Sequence, residues 1–131
     1  MLSTGMYVRC PADKENMAEP RAFICGQIIK VDEFKKTVVV KIHDPFDYLL
    51  FFEDLPKGII EVLQGSVDRC NFFIESTVVY NHERCKILSS QKAKDGFYYY
   101  YVQNQSNKRV VKVCEKEVIA SFNNGHIDPC T

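Results

Sequence analysis

Five aromatic residues in a row, Phe97-Tyr98-Tyr99-Tyr100-Tyr101, constrain this chain more than any other feature. In an extended strand successive side chains point to opposite faces. Phe97, Tyr99 and Tyr101 therefore line one side, and Tyr98, Tyr100 and Val102 the other. A small antiparallel sheet turns one face to its core. The second ring-bearing face then rests on another layer or meets a partner.

The surrounding sequence supplies the strands that such a sheet requires. Thr37 to Ile42 is β-branched and reads as strand, as do residues 6–10, 22–31, 48–52, 77–80, 85–89 and 110–114. Gly26 inside the long segment marks a bulge or a bend. Asp95-Gly96 supplies the positive φ of a tight hairpin turn ahead of the aromatic run. Ile59 to Leu63 fits either a strand or a single helical turn, Cys70 to Ile74 opens a second series, and Glu115 to Phe122 reads as a helical turn leading to a last strand. The second series echoes the first, which predicts a weak internal repeat.

With 131 residues, 46% hydrophobic and 26% charged, the chain has the balance of a folded globular protein. Strands of about five residues with turns every eight to twelve argue for small antiparallel barrels. Two units, 1–66 and 67–131, fill the length. Each alone would bury little apolar surface, so the two are expected to pack together. The fold class predicted is all-β with minor α.

Seventeen basic residues balance seventeen acidic ones. Residues 1–68 hold eight basic against eleven acidic, a net of −3, and residues 69–131 hold nine against six, a net of +3. No signal sequence opens the chain and no apolar run reaches membrane-spanning length, which predicts a cytoplasmic protein with no membrane partner. The six cysteines are far apart and mostly sit within apolar strand patterns, which predicts free thiols acting as small hydrophobes.

A set of these segments resembles a known family. Val8, Gly26-Gln27-Ile28, Val31, Thr37 to Ile42, Thr77-Val78-Val79, Cys85-Lys86-Ile87-Leu88, Gly96, Tyr100-Tyr101-Val102 and Val113-Cys114-Glu115-Lys116-Glu117-Val118 are spaced as in one accessory region. That region is the pair of Tudor-like (SH3-like) barrels at the N-terminus of RapA-type Snf2 helicases, and similar modules occur on other bacterial helicase-like proteins. The resemblance implies two packed SH3/Tudor-like barrels that contact a motor domain, RNA polymerase or nucleic acid and carry no catalysis. The chain has no phosphate-binding GxxxxGK[ST] stretch of its own.

Zinc would require four S or N ligands, and of Cys70, His82 and Cys85 only the last two stand at ligand spacing; a buried cysteine and a loop histidine are expected instead. His43-Asp44 or His82-Glu83 could serve a cysteine nucleophile, but no spacing selects one. Glu53-Asp54 reads as a solvated turn. Tyr48, Phe51 and Phe52, or Tyr98 and Tyr100, could cage a cation, with Tyr98 and Tyr100 expected to be the exposed pair. Arg84, Lys86, Lys92, Lys94, Lys108, Arg109 and Lys112 lie around the tyrosines, with Lys92, Lys94, Lys108 and Arg109 in the turns that bracket the aromatic strand, and form the best constellation for a partner or for nucleic acid. The expectation is a non-enzymatic module without cofactor or metal, binding a protein partner, with direct DNA or RNA binding as the alternative.

Overall fold

Branched residues restrict the backbone to extended conformations, and the Thr37–Ile42 segment forms the centre of a sheet. The computed structural model describes residues 1–11, 23–42 and 59–120. The first sheet contains β1 (Tyr7–Pro11), β2 (Phe23–Asp32), β3 (Thr37–Ile42), β4 (Ile59–Leu63) and β5 (Asp68–Arg69), in the order β4-β3-β2-β1-β5. The second contains β6 (Thr77–Tyr80), β7 (Glu83–Lys92), β8 (Tyr98–Asn104), β9 (Val110–Cys114) and β10 (Ile119–Ala120), in the order β10-β6-β7-β8-β9. All pairings are antiparallel. The protein is thus all-β, with two separate sheets, and its only helical elements among the described residues are the 3-10 turns Gln64–Ser66 and Glu115–Glu117.

The two sheets repeat one plan. Four strands meander, a 3-10 turn follows, and a two-residue strand returns to the first: Val8 pairs with Arg69 and Arg9 with Asp68, and Ile119 with Val79 and Ala120 with Val78. The long second strand of each sheet carries a register shift, between Ile28 and Lys30 and between Ile87 and Ser89. β5 lies beyond residue 66, where the sequence placed the boundary between units, and it pairs with β1.

The structure resolves one open local reading and corrects others. Ile59 to Leu63 is strand, and the helical turn comes after it. Cys70 to Ile74, which opens the second series, carries only an isolated bridge at Phe72. Gly26 is not the bulge. A Cβ there would meet the Lys41 carbonyl oxygen at 2.6 Å, so the glycine permits close approach of β3. Gly96 does adopt φ +90, and Gly96 N–H donates to Ala93 O at 3.1 Å to close the β7–β8 turn. Cys70 is disulfide-bonded, against the expectation of free thiols throughout. Its sulfur lies 3.4 Å from Cys25 Sγ, well beyond the ~2.05 Å of an S–S bond. Cys85 and Cys114 are buried free thiols. The segment 48–52, expected as strand, falls outside the described residues.

β1 is packed on both faces. Met6, Val8 and Cys10 enter one core with Ile28, Val38, Val40, Val62 and Val67. Tyr7 points the other way, into a second core built on Phe72, Val78, Ile87, Tyr100, Val102, Val113 and Val118. Phe97, in the turn that leads into β8, packs in return against the first core. The sheets are therefore joined by shared side chains.

A buried carboxylate fixes that junction. Glu115, wholly buried at 0% exposure, accepts from Tyr7 N–H at 2.9 Å, Tyr98 N–H at 2.8 Å and Arg69 Nη1 at 3.2 Å, and pairs with Arg69 Nη2. Arg69 also donates to Tyr7 O at 2.8 Å and Gly96 O at 3.0 Å. Buried charges persist where they are paired and hydrogen-bonded, as both are here.

Candidate binding face

The β7–β8 register decides which aromatic rings are available. Ile87 pairs with Val102, and after the shift Ser89, Ser90, Gln91 and Lys92 pair with Tyr101, Tyr100, Tyr99 and Tyr98. Tyr100 and Val102 share a face with Ile87 and are wholly buried. Tyr100 is thus not exposed, contrary to the sequence expectation. Its hydroxyl accepts from Phe72 N–H at 3.1 Å and donates to Asn71 Oδ1 at 3.2 Å, and burial pushes its pKa well above the usual phenol value. Tyr98 is half-buried, stacked on Tyr100 at 6.3 Å, with Arg69 and Lys92 at 5.2 and 5.9 Å from its ring centroid. The discriminating signal lies two residues on: Val102 continues the Tyr98–Tyr100 face as apolar, whereas Gln103 continues the Tyr99–Tyr101 face as polar.

Tyr99 and Tyr101 therefore face outward, and Tyr101 is 45% exposed. β9 sets Lys112 opposite Tyr101, and its Nζ lies 5.7 Å from the Tyr99 ring and 6.0 Å from the Tyr101 ring. Tyr99 OH donates to Asp95 Oδ2 at 2.9 Å, and that bond, ahead of other causes, pushes its pKa up to about 12. Ser89, Gln91, Gln103 and Val110 surround the rings on this face. The result is a surface of two rings and Lys112 among polar side chains, with Lys86 opposite Gln103 on the same face. The sequence includes Lys112 among the basic residues around the tyrosines, but points to Tyr98 and Tyr100 in place of Tyr99 and Tyr101.

The four basic residues singled out do not converge. Lys92 and Lys94 are exposed at the start of β8, whereas Lys108 and Arg109 are exposed beyond its end. The seven residues of β8 separate the pairs by about 20 Å at roughly 3.3 Å per residue. Lys108 takes φ +64 in the β8–β9 turn, and Arg109 N–H donates to Asn107 Oδ1 at 2.9 Å. Arg109 also lines a shallow cleft of about 110 Å³ with Tyr80, Asn81, Glu83, Cys85 and Asn104.

The His82–Cys85 pair has a structural explanation. Asn81 and His82 both adopt positive φ, +53 and +66, as a two-residue β6–β7 hairpin turn requires. Burial pushes the Cys85 thiol up, and the Glu83 carboxylate beside it adds to the shift, which keeps the sulfur protonated rather than nucleophilic. Among the described residues no three His, Cys, Asp or Glu side chains stand together as metal ligands, and no helix is long and apolar enough to cross a membrane. His43, His126, Tyr48, Phe51, Phe52 and Glu53-Asp54 fall outside the described residues. No protein-family model and no curated protein matches this chain.

Proposed function

We propose that this chain is a non-enzymatic binding module of two SH3/Tudor-like units that contacts a protein within a bacterial nucleic-acid-processing assembly. The repeated plan of meander, 3-10 turn and returning fifth strand supports the SH3/Tudor-like reading. The resemblance to RapA-type helicase barrels supplies the setting. The observation that carries the binding reading is the outward face of Tyr99, Tyr101 and Lys112, extended by Val110 at 48% exposure. Exposed aromatic rings match the composition of protein interfaces. The test is a pull-down with the tagged chain from its own cells. The expected partner proteins are retained by the wild type and lost with the double variant Tyr99→Ala/Tyr101→Ala. An unchanged set would move the contact off this face.

One observation favours direct nucleic-acid binding as a second reading: two outward rings beside a lysine form a surface on which bases can stack. Gel retardation of single- and double-stranded oligonucleotides at low salt separates the readings. The protein-contact reading expects no retardation. Retardation that disappears when Lys92, Lys94, Lys108 and Arg109 are changed together to Glu would establish the second reading in its place.

A further inference from the structure

Two strands of equal length stand at equivalent ends of the two sheets. β4 ends the first and β9 ends the second, each five residues long, and among the described residues neither has a strand on its far side. An open edge offers backbone donors and acceptors from every second residue.

Which residues offer them follows from the bonds on the paired side. Leu63 sits opposite Thr37, and Gln64 N–H donates to Lys36 O at 2.9 Å, so Gln64 bonds inward toward β3. By alternation Val62 and Ile60 also bond inward, and Ile59, Glu61 and Leu63 direct their amides and carbonyls outward. In β9, Val110 sits opposite Gln103, and Asn104 N–H donates to Arg109 O at 2.8 Å. Arg109, Val111 and Val113 thus bond inward, and Val110, Lys112 and Cys114 bond outward.

The side chains of β4 sort the same way, whereas in β9 the first three residues are exposed and Val113 and Cys114 are buried. Ile59, Glu61 and Leu63 are exposed while Val62 is buried. Val110 and Lys112 share the outer face with Tyr101, while Val111 and Val113 share the inner face with Val102 and Tyr100. One antiparallel register satisfies all of this at once: Glu61 opposite Lys112, Leu63 opposite Val110 and Ile59 opposite Cys114. Outward-bonding residues meet outward-bonding residues, outer faces meet outer faces, and opposite charges meet at the centre. It also covers Ile59, Leu63, Val110 and Val111, which are 60%, 62%, 48% and 41% exposed.

Like edges do not fit one another. β4 against β4 at full overlap sets Glu61 against Glu61, and β9 against β9 sets Lys112 against Lys112, both destabilising as directly opposed like charges. Shifting β4 on β4 by two residues removes the clash but leaves a three-residue overlap of the five.

We propose that β4 of one copy pairs antiparallel with β9 of a second copy of this chain, with Glu61 opposite Lys112. The contact joins unlike edges. It closes when two copies make it twice around a twofold axis and runs head to tail otherwise.

Sedimentation equilibrium of the full chain, from micromolar to sub-millimolar concentration, is the test. The wild type self-associates. Glu61→Lys and Lys112→Glu each weaken association by about tenfold or more, because each places like charges in opposition. The double variant Glu61→Lys/Lys112→Glu restores it, and so does mixing the two single variants. Both positions are exposed, and far-ultraviolet circular dichroism checks that the variants stay folded. A wild type that is monomeric throughout, single variants that associate as well as wild type, or a double variant as weak as the singles would each overturn the pairing. The readout is mass, so it is independent of any partner at the Tyr99–Tyr101 face.

Discussion

Replacing Glu115 by alanine would leave the Tyr7 and Tyr98 amides and the Arg69 guanidinium without their shared acceptor. Breaking a buried ion pair by removing one partner costs about 3–5 kcal/mol. We expect a loss of that size for Glu115→Ala in urea denaturation, and a loss near zero would refute this role for the carboxylate. Tyr100→Phe should cost about 1–3 kcal/mol, since it leaves the buried Phe72 amide unpaired. Tyr99 gives a pH signature: its folded pKa of about 12 exceeds the unfolded value of about 10. The stabilisation linked to this proton is present below the unfolded value and lost as pH rises toward 12. Tyrosinate absorbance should therefore show a late-titrating phenol beside that of buried Tyr100, and only this one should move back toward 10 in Asp95→Asn. The alternation of rings along 97–102 was legible in the sequence, because strand geometry dictates it. The burial of Glu115 was not. Glu115-Lys116-Glu117 has the composition of a solvated turn, and its partner Arg69 stands 46 residues away, where no local pattern can signal it.

The elements were legible where branched residues or turn chemistry acted locally, as in Thr37–Ile42 and the Asp95-Gly96 turn. Ile59–Leu63 was ambiguous because a five-residue apolar run satisfies either period, and pairing with β3 settles it as strand. Cys70–Ile74 has strand composition, but Glu75 adopts φ +77 and its amide donates to Ile87 O at 2.8 Å, so the chain turns there toward β7. Gly26 suggests a bulge or a bend in the sequence, and the structure shows a point of close approach, with the register shift further along at Ile28 and Lys30. We expect Gly26→Ala to cost about 1–3 kcal/mol, because its methyl group would force β3 away from β2. A calorimetric loss near zero would mean that β3 yields without strain. The outward-facing pair was misassigned for a related reason. Rings suit core and surface alike, and only the Val102/Gln103 contrast separates the faces.

Across the whole molecule the two sheets share Tyr7, Phe97 and the Arg69–Glu115 pair, so neither has a core independent of the other. We expect one cooperative unfolding transition, coincident by tyrosine fluorescence and far-ultraviolet circular dichroism. Two resolved transitions would show that the sheets open separately. The repeated plan was visible in the sequence as a faint echo between halves, because each copy keeps the strand and turn spacing of the other. The asymmetry between copies was hidden, since it resides in what β1 touches. That strand contributes Val8 to one core and Tyr7 to the other, and its amide reaches an acceptor 108 residues further along. A protein engineer who wished to graft half of this repeat onto another scaffold would sever that strand from one of its two obligations. The transplantable unit is the whole stretch from Tyr7 to Ala120, which must travel as a block.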